Sequence, residues 1–471
     1  MTTEENQSPL DTKRSFLMYN FSLMLKICGT GLIFTGINLG LFFDQVILPK
    51  YLLNLFKQSG FSNAQVLTAT YQSFLVAIFL SFKIFFLIIA GTLSDHFKTP
   101  IGSRIPISMF GLLLMVGFYF LGSFDFILNS STYFFVLPLM YCMIGIGSAF
   151  ATAPGYALVV DLFKKQERGW AGMGIALFSA IGTLLGIIAQ TIKGIPLEDF
   201  FIITSILLFV IVIISTSILP KLNPDIQPKN SFLNDLRNTP AYLFNLEKIH
   251  EEARGPLTRS DIFLKLLFIQ MFMGASVYII AIYAPLFLVL LNDSSSGYVV
   301  GLDPGLALIL LGVFGVIFAG PIGIIIKYIG KTRTAMGGTS VFALGCILLA
   351  QNVMWTYNGF VIILMILGGS GVIVSIMTVA LPADKVPESN AGQFMGIFTV
   401  ASMLILPLIT FITAVIFQLI LDPFLGFQLL FYSMAVLQVV VLILLYSLDK
   451  HEQSVIQTVI EHPELYKPVV D

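Results

Sequence analysis

Twelve apolar runs of helix length constrain this chain more than any other feature. They fall near residues 27–48, 67–91, 105–124, 132–157, 169–190, 200–219, 263–290, 304–327, 334–352, 358–380, 393–418 and 424–447. A run of about 18 to 25 residues bounded by charge or by Pro and Gly clusters is long enough to cross the hydrocarbon core of a bilayer as a helix. Within hydrocarbon every backbone N–H and C=O must be satisfied internally, so only helices or closed barrels can span. Barrel strands would show shorter alternating segments, and these runs are continuous. With 57% hydrophobic and only 11% charged residues among 471, a water-soluble core is excluded. The expected fold is all-α and integral to a membrane, with twelve transmembrane helices in two six-helix pseudo-repeats.

The longest connection divides six runs from six. The expected organisation is an N-terminal tail (1–26), a six-helix bundle (27–219), a central loop (220–262), a second six-helix bundle (263–447) and a C-terminal tail (448–471). Lys and Arg accumulate on the cytoplasmic side of membrane proteins. With both termini inside, the outer loops hold only Lys50, Lys57 and Lys193, Lys83 lies within a run, and every other Lys and Arg is at the inner side. The expected location is therefore the cell membrane, multi-pass, with cytoplasmic termini. Residues 1–26 have no apolar run beside a small-residue cleavage site, so the first helix is expected to be retained. In the central loop, Leu243, Leu246, Ile249 and Ala253 share one helical face, which predicts a short interfacial helix over 242–253, serving as a linker or a regulatory contact.

The two halves echo each other. After the fourth run comes Asp161-Leu-Phe-Lys-Lys-Gln-Glu-Arg-Gly-Trp-Ala-Gly-Met-Gly-Ile175, and after the tenth comes Asp384-Lys-Val-Pro-Glu-Ser-Asn-Ala-Gly-Gln-Phe-Met-Gly-Ile397. Each places Asp, then Glu, then a small-residue helix start. Between the second and third runs lies Gly91-Thr-Leu-Ser-Asp-His-Phe-Lys-Thr-Pro-Ile-Gly-Ser-Arg-Ile-Pro106, whose counterpart begins at Gly320 and carries Ile324 in place of the carboxylate. A helix ending at Gly91, the Asp95 carboxylate four residues later and the basic turn at Arg104 resemble the signature of the major facilitator superfamily. The spacing Ser94-Asp95, Gly102, Arg104, Pro106, together with Ala157-Leu-Val-Val-Asp161, Arg168-Gly169, Gly182-Thr-Leu-Leu-Gly186, Gly392-Gln393, Gly396 and Pro407, is similar to the sucrose/proton symporters and the wider glycoside-pentoside-hexuronide cation symporter group. The resemblance implies two repeats that rock about a midplane substrate site. The charged residues Asp95, Arg104, Asp161, Glu167, Arg168, Asp384 and Glu388 at inner helix ends are the gating candidates, whose ion pairs and contacts to the start of the eleventh helix would hold the outward-facing state closed, with solvated loop charges that set topology as the competing reading.

That group's cation site is acidic, on the second and fourth helices. Here the second run carries Lys83 and the middle of the fourth carries no carboxylate, so protons rather than sodium are the expected coupling ion. Lys83 is the most anomalous residue. A basic side chain at the helix centre costs about 3 kcal/mol on insertion scales, and eight residues separate it from Gly91, about 12 Å of helical rise. It should therefore face a cavity or a partner, with snorkelling as the competing reading. Asp44 is the carboxylate nearest the membrane interior and is the second ion-coupling candidate, or else an outer-gate or interfacial residue.

The resemblance assigns the cavity to the first, fourth, seventh and tenth helices. Their polar residues Asn38, Gln45, Tyr141, Thr152, Gln270, Tyr278, Tyr283, Ser370 and Ser375 are the substrate-binding candidates, each alternatively an interhelical hydrogen bond. The only two Trp residues, Trp170 and Trp355, sit near run ends, whereas sugar pockets favour Trp; 43 Phe and 17 Met suit a greasier cavity. Gly368-Gly-Ser-Gly371 lacks the strand and Lys-Ser/Thr of a phosphate loop and reads as close packing or a hinge.

Enzymatic chemistry has no inventory here. His96, His250, His451 and His462 all fall in loops or the tail, and Cys28, Cys142 and Cys346 occupy three separate runs without metal spacing. No catalytic residue, metal or cofactor is expected, and no Walker loop is present. Nucleic acid is not an expected partner at a formal net charge of -1. The expected function is a monomeric secondary active transporter in the lipid bilayer. It would move a small organic solute, a sugar or glycoside, with protons by alternating access. An efflux carrier of amphipathic compounds, an uncoupled facilitator and a non-transporting assembly factor are the rivals.

Overall fold

A computed structural model of the chain describes residues 9–42, 48–97, 99–124, 133–164, 167–191, 197–220, 231–237, 260–293, 300–383, 391–420 and 422–461. Among these residues every long element is a helix and no strand occurs. The first half contains α1 (Pro9–Phe42), α2 (Leu48–Gln58), α3 (Ala64–His96), α4 (Arg104–Gly122), α5 (Tyr133–Leu162), α6 (Arg168–Thr191) and α7 (Leu197–Ile218). The second contains α8 (Ser260–Leu291), α9 (Pro304–Ile329), α10 (Lys331–Ala350), α11 (Tyr357–Ala383), α12 (Ala391–Met403), α13 (Leu406–Ile420) and α14 (Pro423–Glu461). Eleven stretches are long and apolar enough in their described residues to cross a membrane, with α12 and α13 counted as one. In the 26-residue α9 the described apolar stretch Pro304–Ala319 is shorter than that length.

Packing follows the repeat. In the first half α1 lies against α6 and α7, while α3 and α4 flank α5; in the second α9 and α10 flank α11, and α8 and α10 pack on α14. The halves meet along two seams, α3 with α12 and α13, and α6 with α9 and α11. Large apolar side chains such as Phe85, Ile206, Phe411, Val436 and Ile443 point outward while the interior is also apolar. A bundle that is hydrophobic on both sides is one solvated by lipid. The Gly368 stretch resolves to close packing: a Cβ there would lie 2.5 Å from the Leu311 carbonyl of α9.

Three features differ from the sequence reading. The eleventh run is two helices because Pro407 has no N–H and its ring would clash with the carbonyl of Met403, so the chain breaks between Met403 and Leu406. An unanticipated amphipathic helix, α2, buries Leu48, Leu52, Leu53 and Phe56, while Lys50 and Lys57 lie on its polar side; its 11 residues are too short for a span-length search. Both α1 and α14 extend well past their apolar runs into the polar tails. Trp355, at the end of its run, is buried and donates from Nε1 to the Leu349 carbonyl. The expected helix over 242–253 lies outside the described residues, although residues 232–237 of the same loop are helical.

Candidate functional site: two gates around a central cavity

The first candidate gate is built where α3 and α5 end and α4 begins. Arg104, at the first residue of α4, is buried, and its Nε donates to Asp161 Oδ2 at 2.9 Å and its Nη1 to Ser94 Oγ at 2.9 Å. The same Nη1 pairs with the Asp95 carboxylate. These four residues all belong to the first half. The crossing to the second half is made by Asp95, whose two carboxylate oxygens accept from the backbone N–H groups of Gly392 at 3.0 Å and Gln393 at 2.8 Å. The first turn of a helix has no intrahelical partners for its N–H groups and carries partial positive charge, so α12 presents Asp95 with the donors it needs. Gly91 lets the two backbones touch: a Cβ there would sit 2.4 Å from the Gly392 carbonyl oxygen.

Arg168 makes contacts that the sequence reading did not foresee. It is buried and donates to three carbonyls, Phe163 and Val160 of its own half and Ala383 across the seam at 2.6 Å, which puts a cation on the carbonyl ends of α5 and α11. Glu167 accepts from the Lys164 N–H in a local turn. Asp384 and Glu388 lie outside the described residues. The central loop also reaches this gate. Asp235 is fully buried, its carboxylate 3.4 Å from His96 Nε2 and its carbonyl accepting from Gln393 Nε2 at 3.0 Å, and the Phe232 ring stands edge-on to His96. Nothing in the sequence marks Asp235, because only the fold brings residue 235 beside residues 96 and 393.

A second candidate gate, unrecognised in the sequence, joins the halves at the opposite end. Lys57 of α2 pairs with Asp293, whose other oxygen accepts from Gln65 Nε2 at 2.8 Å. Lys50 pairs with Asp303 at 3.0 Å. Tyr283 donates to Ser73 Oγ at 2.9 Å and Gln418 to Thr70 Oγ1 at 3.0 Å. Each contact joins one half to the other. Asp303 is also the N-cap of α9, accepting from Gly305 and Leu306. Burial raises its pKa, but the hydrogen bond and charge of Lys50 and the two N–H groups outweigh this and hold the carboxyl below its ordinary range.

Exposure ranks the two ion pairs. The Lys50 and Asp303 side chains are 34% and 57% exposed, so solvent screens them and the pair contributes about 0–1 kcal/mol. The Asp293 side chain is only 5% exposed, and a hydrogen bond to a charged group contributes about 1.5–3 kcal/mol. Lys50→Ala is therefore expected to change opening of this end less than about fivefold, and Asp293→Ala by more than tenfold, measured as the rate at which an impermeant maleimide reaches a cavity cysteine from this side. A depressed carboxylate contributes above its unperturbed pKa and is lost only as pH falls through the lowered value. Acidification to about pH 5 therefore leaves the Asp303 bridge charged.

Between the gates lies a cavity of about 230 Å³, bordered by both halves. Six of the substrate candidates line it: Asn38, Tyr141, Thr152, Gln270, Tyr278 and Ser375; so does Lys83. Asn38 and Thr152 also donate to carbonyls one turn back, those of Phe34 and Ser148. Tyr283 belongs instead to the second gate, and Ser370 donates to the Ile366 carbonyl without lining the cavity. Gln45 and Asp44 lie outside the described residues. The sequence reading missed Gln72, Tyr156, Ser179, Thr378, Thr399 and Ser402, several of them on α3, α6 and α12, which the resemblance does not assign to the cavity. A usable signal existed: Gln72, Val76, Phe79 and Lys83 follow helical spacing on α3, so the stripe through the anomalous lysine marks the lining face.

Lys83 is 1% exposed, with its ammonium 5.6 Å from the centroid of the Phe79 ring on its own helix and 6.0 Å from that of Tyr278 on α8. It snorkels to neither end. Two ring faces offset part of its membrane cost by about 0.5–2 kcal/mol each, less in sum than a full counter-charge would supply. Among the described lining residues it is the sole charged group. The cysteines carry no bonds to one another, and among the described residues no metal-type cluster occurs.

With this geometry, the family assignment is direct. The chain belongs to the Major Facilitator Superfamily, whose family model matches residues 21–410, with a second match over 305–468. Solved structures share the fold over most of their length. The human organic anion transporter MFSD10 (TETRAN) has a TM-score of 0.65 at 17% identity, covering 90% of this chain and 98% of the other. The proton:xylose symporter XylE, solved with 6-bromo-6-deoxy-D-glucose, has a TM-score of 0.60 at 15% identity, covering 91% and 96%. A bacterial homologue of the iron transporter ferroportin in its outward-facing state has a TM-score of 0.63 at 14% identity, covering 91% and 99%. In sequence, a probable vesicular acetylcholine transporter-B of Danio rerio is 30% identical over 142 residues, which span 30% of this chain and only 26% of that relative. The chain is a multi-pass membrane protein of a transporter family.

Proposed function

We propose that this chain is a secondary transporter that carries a small organic solute through the central cavity by alternating access. The observation that carries the reading is the cavity lying between the halves with bonds across the seam at both ends, the arrangement of an occluded intermediate. Opening the Asp95 gate or the Asp293 gate then exposes the same cavity to one side or the other. In this reading the Asp95 end faces the cytoplasm, because the basic loops lie there. The amide, hydroxyl and phenol groups of the lining suit a hydroxylated solute, so a sugar or glycoside fits this form of the reading, and XylE is a sugar symporter on the same fold. Protons serve as the coupling ion, since Lys83 is the sole charged lining residue described and an ammonium gives a bare sodium ion no ligand.

Cysteine chemistry tests alternation without knowledge of the solute. In a background with Cys28, Cys142 and Cys346 replaced, Ser375→Cys reports the cavity. A disulfide between Gly172→Cys and Ile376→Cys, whose helices α6 and α11 meet near the Asp95 end, should block its labelling from that side only. One between Thr70→Cys and Gln418→Cys should block labelling from the other side only. Labelling from either side that is indifferent to both cross-links rejects alternating access.

A further inference from the structure

We infer that the cavity is built for an organic anion, a solute with one carboxylate or sulfonate head and an elongated, largely apolar body, with Lys83 as its counter-charge. The inference rests on the carrier reading and names the substrate class of the same site. Its first support is the isolation of the cation. Lys83 is 1% exposed, lines the cavity and meets only the Phe79 and Tyr278 rings at cation–π distance, with no carboxylate among the described lining residues. A buried ammonium without a fixed counter-ion is an incomplete ion pair, and an incoming anion completes it at the midplane, where desolvation makes the attraction strongest. A cationic solute meets the opposite field.

The second support is independent of charge. Gln270, also 1% exposed and on the cavity wall, has a side-chain amide nitrogen with no hydrogen-bond partner. It is a donor left open in a buried place, the kind of group that a ligand satisfies. Gln270 and Tyr278 lie eight residues apart on one face of α8, about 12 Å of rise, so a solute whose head meets Lys83 can present a polar group or an aromatic edge toward Gln270. The same cavity wall carries Val277, Phe79 and Phe398, apolar surface against which the body of such a solute can pack.

The test compares one body in different charge states. 3-Phenylpropionate, 3-phenylpropanesulfonate, 3-phenylpropanamide and 3-phenylpropylamine are titrated by calorimetry against the purified full chain in nanodiscs. Both anions are expected to bind at least tenfold more tightly than the amide, and the amine not to compete. In Lys83→Met the anion preference should fall below twofold with the amide's affinity kept, and Lys83→Arg should retain it. Retained amide affinity shows that the Met variant is folded. Gln270→Leu should weaken both anions and the amide by a similar factor. Anions binding no better than the amide, or a preference that survives Lys83→Met, overturns the proposal. If Ser375→Cys labelling alternates while no anion preference appears, the substrate class fails and the carrier stands. If the Lys83-dependent preference appears without alternation, the carrier reading fails and the anion site stands.

Discussion

Asp95→Asn is expected to open the Asp95 end of the protein by roughly 30- to 100-fold while leaving the fold intact. Asp95 holds two kinds of contact. Its pairing with Arg104 lies within the first half, where Asp161 and Ser94 also hold the guanidinium, so Arg104 keeps two partners after the substitution. Its bonds to the Gly392 and Gln393 N–H groups cross the seam. Only the second kind distinguishes closed from open. Asparagine offers one acceptor in place of two, and a neutral one, so the closed state loses one charge-assisted bond and weakens the other, about 2–3 kcal/mol in all. At 1.4 kcal/mol per decade this gives the stated shift in the closed-to-open ratio. Maleimide labelling of Ser375→Cys should accelerate from the Asp95 side by that factor and slow from the Asp293 side. An unchanged ratio of the two rates would show that the crossing bonds are incidental to closure.

The fold was legible because a bilayer leaves few choices: twelve runs of the right length, charge at their ends, and one long polar loop at the midpoint. Helix ends were less so. Pro407 announces the break in the eleventh run, yet a pattern that counts apolar residues passes through it. The first gate was partly legible, since Asp95 and Arg104 sit in a charged loop of recognisable spacing and their contact with the start of α12 follows from the resemblance. The bonds of Arg168 to carbonyl groups went unread, because a sequence displays potential ion pairs and hides carbonyl groups at helix ends. The second gate was invisible for a plainer reason. Lys57 and Gln65 each lie more than 200 residues from Asp293, in stretches between runs whose polar groups look like ordinary solvated ones. In the cavity, the anomalous Lys83 was the one side chain whose environment its own helix predicted, and its neighbours on α3 went unread because each alone is unremarkable in an apolar run.

A single methyl group at the seam should have a larger effect than the loss of the Asp95 charge. In Gly91→Ala the new Cβ lies 2.4 Å from the Gly392 carbonyl oxygen and 3.0 Å from its carbonyl carbon, both backbone atoms at the first turn of α12. No rotamer can relieve that overlap, so α3 and α12 must separate, and with them go the Asp95 bonds to Gly392 and Gln393. The open state does not require this contact, so the substitution acts on the equilibrium between states rather than on folding. Gly182→Ala supplies the contrast. Its Cβ would lie 2.3 Å from the Thr35 carbonyl oxygen, an equally severe clash, but between α6 and α1 of the same half, which rigid-body rocking of the halves would leave packed. Gly91→Ala is therefore expected to express and melt near wild type, to label at Ser375→Cys from the Asp95 side alone, and to resist formation of the Gly172→Cys/Ile376→Cys disulfide. Gly182→Ala is expected to lower the melting temperature by several degrees with both labelling rates in their wild-type ratio. If Gly91→Ala instead melts early and labels like wild type, the Gly91–Gly392 contact is permanent packing, and the moving seam lies elsewhere along α3.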